Sequence, residues 1–433
     1  MAIYSPRLPQ PRLALFLLAR SKRSRSRYRH CRMALSSLQT REVSDLCIGK
    51  PAARPISPSA TVGDALHALR SGGGESRLVV WVAECASSDS RTCGGMVCLV
   101  DVLCYLCAEE NLVAPCSALA APVSVLLFHK AGAAAVSTVI PLVRRVDPSS
   151  SILEALDAIL DGACSLVVPI RSAASRRKLI GGGDADPELC WLTQEDFVRF
   201  ILNSISLFSP VPALSVTDLG LVRPAALAVR PQDPALSALP SIRAALADQS
   251  SVAVVSDDGR LLGEISPSTL AHCDERVSAA LAALSAGDLM AYIDCFNAPP
   301  ESAVRSIKAQ LREKGLSGML ELLEADFFPP FSPSTSSSSS SSDEEASSLQ
   351  ALSNGRRPRR LRSASRSGSY SARMGRRSEE SIVCHPGSSL VAVMIQTLAH
   401  RVSYVWVVDD DFFLVGVVTF SDVLKLFREQ LEQ

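Results

Sequence analysis

Aromatic residues are scarce in this 433-residue sequence: Phe, Trp and Tyr make up 5% of it, and there are three tryptophans. Leu, Val and Ala must therefore do most of the packing, and with 47% apolar residues the chain is long enough for two to four domains of normal core. Net charge is also missing, since 44 Lys and Arg balance 44 Asp and Glu. That balance argues against a whole-molecule electrostatic role with nucleic acid or a membrane surface. The longest early apolar stretch, Leu13 to Ala19, is far shorter than the ~20 residues that cross a bilayer. No membrane span is expected. Nor is there a Gly-Lys-Ser/Thr phosphate loop, a His-Glu-x-x-His pair or a Gly-x-Ser-x-Gly elbow. His129, His272, His385 and His400 show no metal-ligand spacing with acids or cysteines. The chain reads as a protein that is not an enzyme, with no metal and no required cofactor.

The 13 cysteines lack the regular framework of a small secreted domain and lie in apolar runs such as Val102 to Cys107, which points to a reducing, intracellular compartment. Cys104 and Cys107 have the spacing of a redox pair within a helical pattern, so buried core thiols and a reactive or metal-binding pair both stay open.

Charge is unevenly placed. The first 41 residues hold ten Lys or Arg and no acid, and they include Ser-rich basic sequence after Leu13–Ala19. Two readings stand: an organelle transit peptide, which would send the protein to plastid or mitochondrion, or an upstream extension ahead of a second start at Met33. Otherwise a soluble cytoplasmic protein is expected.

What is present is repetition. The phrase Leu414-Val-Gly416-Val-Val-Thr419-Phe-Ser-Asp422 returns at Cys190-Trp-Leu-Thr193-Gln-Glu-Asp196, at Gly95-Met-Val-Cys98-Leu-Val-Asp101 and at Gly263-Glu-Ile-Ser266-Pro-Ser-Thr269. Ahead of each, Pro and small polar residues (Pro58, Pro148, Pro231, Pro386) open an amphipathic helix that runs into a β-branched strand. A lead-in of the type Val43-Ser-Asp45-Leu46 recurs as Val216-Thr-Asp218-Leu219, and each aspartate stands 13 residues before its opening proline. A third copy, Ala286-Gly-Asp288-Leu289, lies 98 residues before Pro386, so the fourth repeat carries an insertion of about 85 residues. A faint fourth is Val123-Ser-Val-Leu126.

These motifs resemble the CBS-domain family, over most of residues 42–431. The resemblance implies an α+β fold of four β-α-β-β-α CBS repeats paired into two Bateman modules, with a disordered Ser/Arg-rich insert. The four-repeat layout is similar to the plant stand-alone CBS proteins of the CBSX group and to the regulatory γ subunit of AMP-activated protein kinase. The expected boundaries are a basic extension at 1–41, repeat 1 at 42–110, repeat 2 at 120–205 and repeat 3 at 214–284. The lead-in of repeat 4 follows at 285–297, a helical insert joined at Gly315 at 298–328, a disordered linker at 329–380 and the core of repeat 4 at 381–431.

The linker is low in complexity, with a serine run to Ser342 and nine arginines between Arg356 and Arg377. It cannot bury enough surface to offset the entropy of ordering. Some 50 flexible residues span roughly 40 Å, enough to let the fourth core dock on the third. Arg356 to Arg362 can be read as plain solvated linker, as a kinase recognition stretch for phosphosites Ser363 and Ser365, as a nuclear-import signal or as an anion patch. With Tyr370 as the single interleaved aromatic, nucleic acid is an unfavoured partner.

Thr-x-x-Asp at a helix start is a capping box without any ligand, the Thr serving as N-cap and the acid favouring the positive helix end. It can also hold phosphate and ribose. In the resembled family these positions contact the phosphate and ribose of adenosine ligands, so the resemblance implies AMP, ADP or ATP as a regulatory ligand at Thr193 with Asp196 and at Thr419 with Asp422. Repeat 1 keeps Asp101 alone, with Cys98 in place of Thr, and repeat 3 has Ser266 and Thr269; at most two nucleotides per chain are expected. Trp406 either lines the adenine slot the family has or packs in the core, and Trp191 stands where it would crowd the second site. The partners expected are an unidentified protein, modulated through the angle between repeats, and a second copy of the chain through the Bateman modules. A scaffold without small-molecule ligand is the alternative.

Overall fold

The computed structural model describes residues 33–71, 76–83, 91–131, 143–170, 188–325 and 381–432. Residues 1–32 and the Ser/Arg-rich stretch with Ser363 and Ser365 lie outside them.

Four copies of one unit are laid out along the chain. The first is β1 (Arg54–Ile56), α1 (Val62–Ser71), β2 (Arg77–Ala83), β3 (Arg91–Cys98) and α2 (Leu99–Leu106). The second is β4 (Val143–Arg145), α3 (Ile152–Leu160), β5 (Ser165–Ile170), β6 (Glu188–Thr193) and α4 (Gln194–Asn203). The third is β7 (Ala228–Val229), α5 (Leu239–Asp248), β8 (Val252–Val255), β9 (Leu261–Ile265) and α6 (Pro267–Leu270), followed by α7 (Arg276–Ala283) and α8 (Ala286–Asp294). Two further helices, α9 (Glu301–Glu313) and α10 (Ser317–Glu324), turn at Gly315, whose φ is 72°. The fourth unit is β10 (Val383–Cys384), α11 (Leu390–His400), β11 (Tyr404–Val408), β12 (Leu414–Thr419) and α12 (Phe420–Leu431). Each unit makes a three-stranded sheet whose short first strand runs parallel to the middle one and whose last strand runs antiparallel.

The polar openings are helix caps. Ser151 accepts from the Glu154 amide at 3.2 Å while Glu154 accepts from the Ser151 amide at 3.1 Å, and Thr61 and Asp64 exchange the same pair at 3.0 and 2.9 Å. In the strands, alternate residues serve two cores. Val405 and Val407 of β11 face helices, whereas Tyr404 and Trp406 face a neighbouring sheet.

Those two cores set the quaternary-like arrangement within one chain. Sheets pack on sheets between units one and two, through Val79 and Met96 against Val167, Leu189 and Trp191, and between units three and four, through Ala253 against Tyr404, Trp406 and Val417. Helices then pack module on module: α5 and α7 lie against α2, and α12 lies against α4 and α3. Polar contacts cross the same seam, among them Arg428 Nε to Asp157 Oδ1 at 2.6 Å and Gln194 Nε2 to Ser421 Oγ at 3.0 Å. The α9–α10 pair buries Ile307, Leu311, Met319 and Leu322 in the core shared by units one and three. Cys104 and Cys107 are buried there too. The Cys107 thiol donates to the Ser278 carbonyl, and burial pushes it up to about 12, as suits a packed, unreactive thiol.

Each lead-in precedes one repeat in sequence and docks on the other repeat of its module. Val43 and Ser44 donate to the carbonyls of Ser150 and Pro148, at the opening of unit two. Val123 donates to Ala60 in unit one, Val216 to Ser388 in unit four, and Ala286 to Asp233 in unit three. The repeats of each module thus exchange lead-ins reciprocally.

Glu275, 2% exposed, sits on the seam between units one and three, where both its oxygens accept from Arg70 Nη1 at 3.2 Å. Burial outweighs that pairing and raises its carboxyl above the ordinary 4.5. A raised folded-state value means that the folded chain keeps a proton the unfolded chain has lost, so this contribution to stability falls as pH rises from 4.5 toward neutrality. Glu275→Gln, which mimics the protonated form, should therefore gain melting temperature over wild type as pH is raised across that window. A mutant–wild-type difference that stays flat with pH would contradict this.

Candidate functional site

Both complete Thr-x-x-Asp pairs form at the junction of a last strand and its helix. Thr419 caps α12 with extended backbone; its amide donates to Asp422 Oδ2 at 2.9 Å, its hydroxyl donates to the same oxygen at 2.7 Å, and the Asp422 amide approaches Thr419 Oγ1 at 3.4 Å. Thr193 caps α4 likewise, its amide and hydroxyl donating to Asp196 Oδ2 at 2.8 and 3.1 Å. Asp101 forms a capping box with Cys98, accepting from its amide at 2.8 Å while the thiol accepts from the Asp101 amide, and is 5% exposed. In unit three Ser266 caps α6, a single turn, and accepts from the Ser268 amide at 3.2 Å.

Each complete pair also holds a cation that sequence reading did not single out. Lys50 Nζ lies 2.5 Å from Asp196 Oδ2 and donates to the Trp191 carbonyl at 2.8 Å. Arg223 Nε donates to Asp422 Oδ2 at 2.9 Å, and its Nη2 reaches Thr419 Oγ1 at 3.2 Å and Asp248 Oδ2 at 3.1 Å. The two cations occupy equivalent places, five residues beyond Asp45 and Asp218 respectively. Both are delivered by a lead-in that crosses to the other repeat. The signal was in the sequence, as a basic residue at a fixed distance after each Val-Ser/Thr-Asp-Leu. All these contacts fall on one oxygen of each aspartate. The Oδ1 atoms of Asp196 and Asp422 carry no hydrogen bond among the described residues.

The crossing segment needs space. In the second module Arg223 exchanges two backbone hydrogen bonds with Val417, at 2.9 and 2.8 Å, so it passes directly over Gly416. A Cβ at that glycine would stand 2.3 Å from the Arg223 carbonyl oxygen. In the first module the matching strand position is Cys190.

The four phrases end at one place. Cys98, Thr193, Ser266 and Phe420, the four strand–helix junctions, all line a single cavity of about 290 Å³ between the modules, where Arg77, Arg401 and a set of serine hydroxyls also face it. Its lining mixes apolar residues with two arginines and one acid, Glu195, and the positive ends of α2 and α4 reach it at Cys98 and Thr193.

Trp406 is 1% exposed, and its indole Nε1 donates to Glu264 Oε2 at 2.5 Å, while Tyr404 donates to Oε1 at 2.6 Å. Both rings fill the sheet interface of the second module. Burial and the Glu264 charge hold the Tyr404 phenol well above its ordinary value, so it stays a donor. Trp191 is 6% exposed in the corresponding interface of the first module, and its Nε1 has no partner among the described residues. No described helix is long and apolar enough to cross a membrane.

The CBS domain profile matches residues 377–429. CBS domain-containing protein CBSX5 of Arabidopsis thaliana is 42% identical over 421 residues, which cover 92% of this chain and 99% of that protein. The SNF1-related protein kinase regulatory subunit gamma-like PV42b of the same plant is 21% identical over 92% of this chain and 97% of its own length. Among solved structures, protein MJ1225 of Methanocaldococcus jannaschii aligns over 89% of this chain and 100% of its own, at 14% identity and a TM-score of 0.48. With four β-α-β-β-α units in two sheet-paired modules, and a relative of 42% identity matched over nearly its full length, the chain belongs to the CBS-domain family.

Proposed function

We propose that this protein is a non-catalytic regulator that senses adenosine nucleotides at Thr193 with Asp196 and at Thr419 with Asp422, and passes the signal to a partner protein. One observation supports the reading: two equivalent Thr-x-x-Asp junctions each hold a lead-in cation on one aspartate oxygen and leave the other oxygen outside those contacts. Capping and binding are not rivals in this geometry, because the cap uses Oδ2 and leaves Oδ1 for a ribose hydroxyl. Phosphates would face the N-termini of α4 and α12, whose positive ends favour negative charge. Ribose and phosphate compete with the aspartate for Lys50 and Arg223, so binding pulls on the crossing lead-ins and shifts one repeat against the other. A ligand acts this way only if it binds the two arrangements unequally. The helical faces through which two Bateman modules would join in a homodimer are here covered by the chain's own second module.

A scaffold without ligand is the second reading, favoured by one observation: Trp406 and Tyr404 close the sheet interface where an adenine slot was expected. Thermal unfolding separates the two. A nucleotide at 100 times its dissociation constant stabilises by about 2.7 kcal/mol. AMP, ADP or ATP is expected to raise the melting temperature of the full chain, and Asp196→Asn and Asp422→Asn should each weaken binding at its own site by roughly 10–100-fold, the value of one or two hydrogen bonds to a charged group. If all three nucleotides at millimolar concentration leave the transition in place, the sensor reading is wrong and the scaffold stands.

A further inference from the structure

The two Thr-x-x-Asp sites differ in what holds their cation. Among the described residues Lys50 pairs with a single carboxylate, that of Asp196. Arg223 pairs with two: its Nε donates to Asp422 Oδ2 at 2.9 Å and its Nη2 to Asp248 Oδ2 at 3.1 Å. Asp248 is the last residue of α5, in unit three, and that helix ends against the site. The Gln249 carbonyl accepts from Ser403 Oγ at 2.6 Å, and the Ser403 carbonyl accepts from the amide of Phe420, the first residue of α12, at 2.8 Å. One guanidinium separates Asp248 from Thr419, the N-cap of α12, because Arg223 Nη2 also donates to Thr419 Oγ1 at 3.2 Å. The positive end of α12 thus meets the negative end of α5, together with a carboxylate beyond the one its own motif supplies.

We propose that Asp248 is a specificity-determining residue, which makes the site at Thr419 and Asp422 favour the nucleotide with the fewest phosphates, AMP, over ADP and ATP. The inference rests on the nucleotide reading above and adds to it the charge of ligand that each site takes. A phosphate facing the N-terminus of α12 stands near the helix end and Arg223, which attract it, and near Asp248, which repels it. Arg223 is already matched by Asp422, so the second carboxylate leaves this cluster with a net negative charge. Lys50 with Asp196 is a neutral pair, and Glu195 beside them is matched by Arg199. Each further phosphate adds negative charge to the ligand and therefore adds to the repulsion at the second site. AMP meets the least of it. The site at Thr193 and Asp196 has no second carboxylate on its cation among the described residues, so it takes ADP and ATP with less penalty. The Arg223 and Asp248 side chains are 41% and 45% exposed, which leaves the effect open to screening by salt.

Titration calorimetry with AMP and ATP tests this on the full-length chain carrying Asp196→Asn, which weakens the first site and leaves the second to be read. Adding Asp248→Asn should tighten ATP by about 3–10-fold, the worth of one exposed unit charge at this range. AMP should tighten by less, so the preference for AMP narrows. Asp248→Glu in the same background should keep the preference of the Asp248 chain, and about 1 M potassium chloride should remove the difference between Asp248 and its Asn variant. A merely structural role for Asp248 would shift both nucleotides by one factor, and that result overturns the proposal, as does an unchanged ratio of the two affinities. Failure of the nucleotide reading looks different: neither AMP nor ATP then binds the wild-type chain, and both conclusions fall together.

Discussion

Trp406→Ala is expected to be the most damaging single substitution in the second module, with a loss of about 3–5 kcal/mol. The indole is the largest fully buried side chain among the described residues and stands in the sheet interface with Tyr404, Val402, Val417 and Ala253. Its removal opens a cavity between two sheets that are each paired at the edge of the gap, so little collapse is available. It also strips the Glu264 carboxylate of its Nε1 donor. Trp406→Phe separates the two contributions, since it refills most of the volume and forfeits only the hydrogen bond, worth about 1–3 kcal/mol when a charged partner is left behind. Urea unfolding followed by circular dichroism reads both. A loss under about 1 kcal/mol for the alanine variant would mean that the sheets close over the gap and that the interface is not the rigid element described above.

Gly416→Val is expected to cost nearly as much, for the opposite reason. The added Cβ would meet the Arg223 carbonyl oxygen at 2.3 Å and Val222 Cγ1 at 2.7 Å. Neither segment can yield without breaking the Arg223–Val417 pair of backbone hydrogen bonds. Overpacking costs about 1–3 kcal/mol, and two backbone bonds add about 0.5–1.5 kcal/mol each. Gly387→Ala, where a Cβ meets nothing within 4 Å, is the control and should change stability by no more than about 0.5 kcal/mol. Equal midpoints for Gly416→Val and wild type would show that the lead-in does not lie over β12.

The fold was legible because its information is local and repeated. Pro-opened caps, β-branched strands and Thr-x-x-Asp junctions each specify a short piece of backbone, and four copies average out the worn ones. The exchange of lead-ins was not legible, because Val-Ser-Asp-Leu carries the pattern of a docking turn and no information on which of two similar surfaces receives it. The site was legible in its acids and hidden in its cations. Thr193, Asp196, Thr419 and Asp422 sit where the motif predicted, at helix starts, whereas Lys50 and Arg223 come from the far side of a module. Cys190 read as a worn glycine.

Reciprocal exchange of lead-ins also imposes an order in time. Val43 leaves the ribosome long before its hydrogen-bond acceptor Ser150 exists, and the gap of about a hundred residues lasts roughly 5–20 s at about 5–20 residues per second. Val216 waits longer still, for Ser388 beyond the Ser/Arg-rich stretch. Neither lead-in has its own surface when it emerges, so each module is completed only when its second repeat has been made.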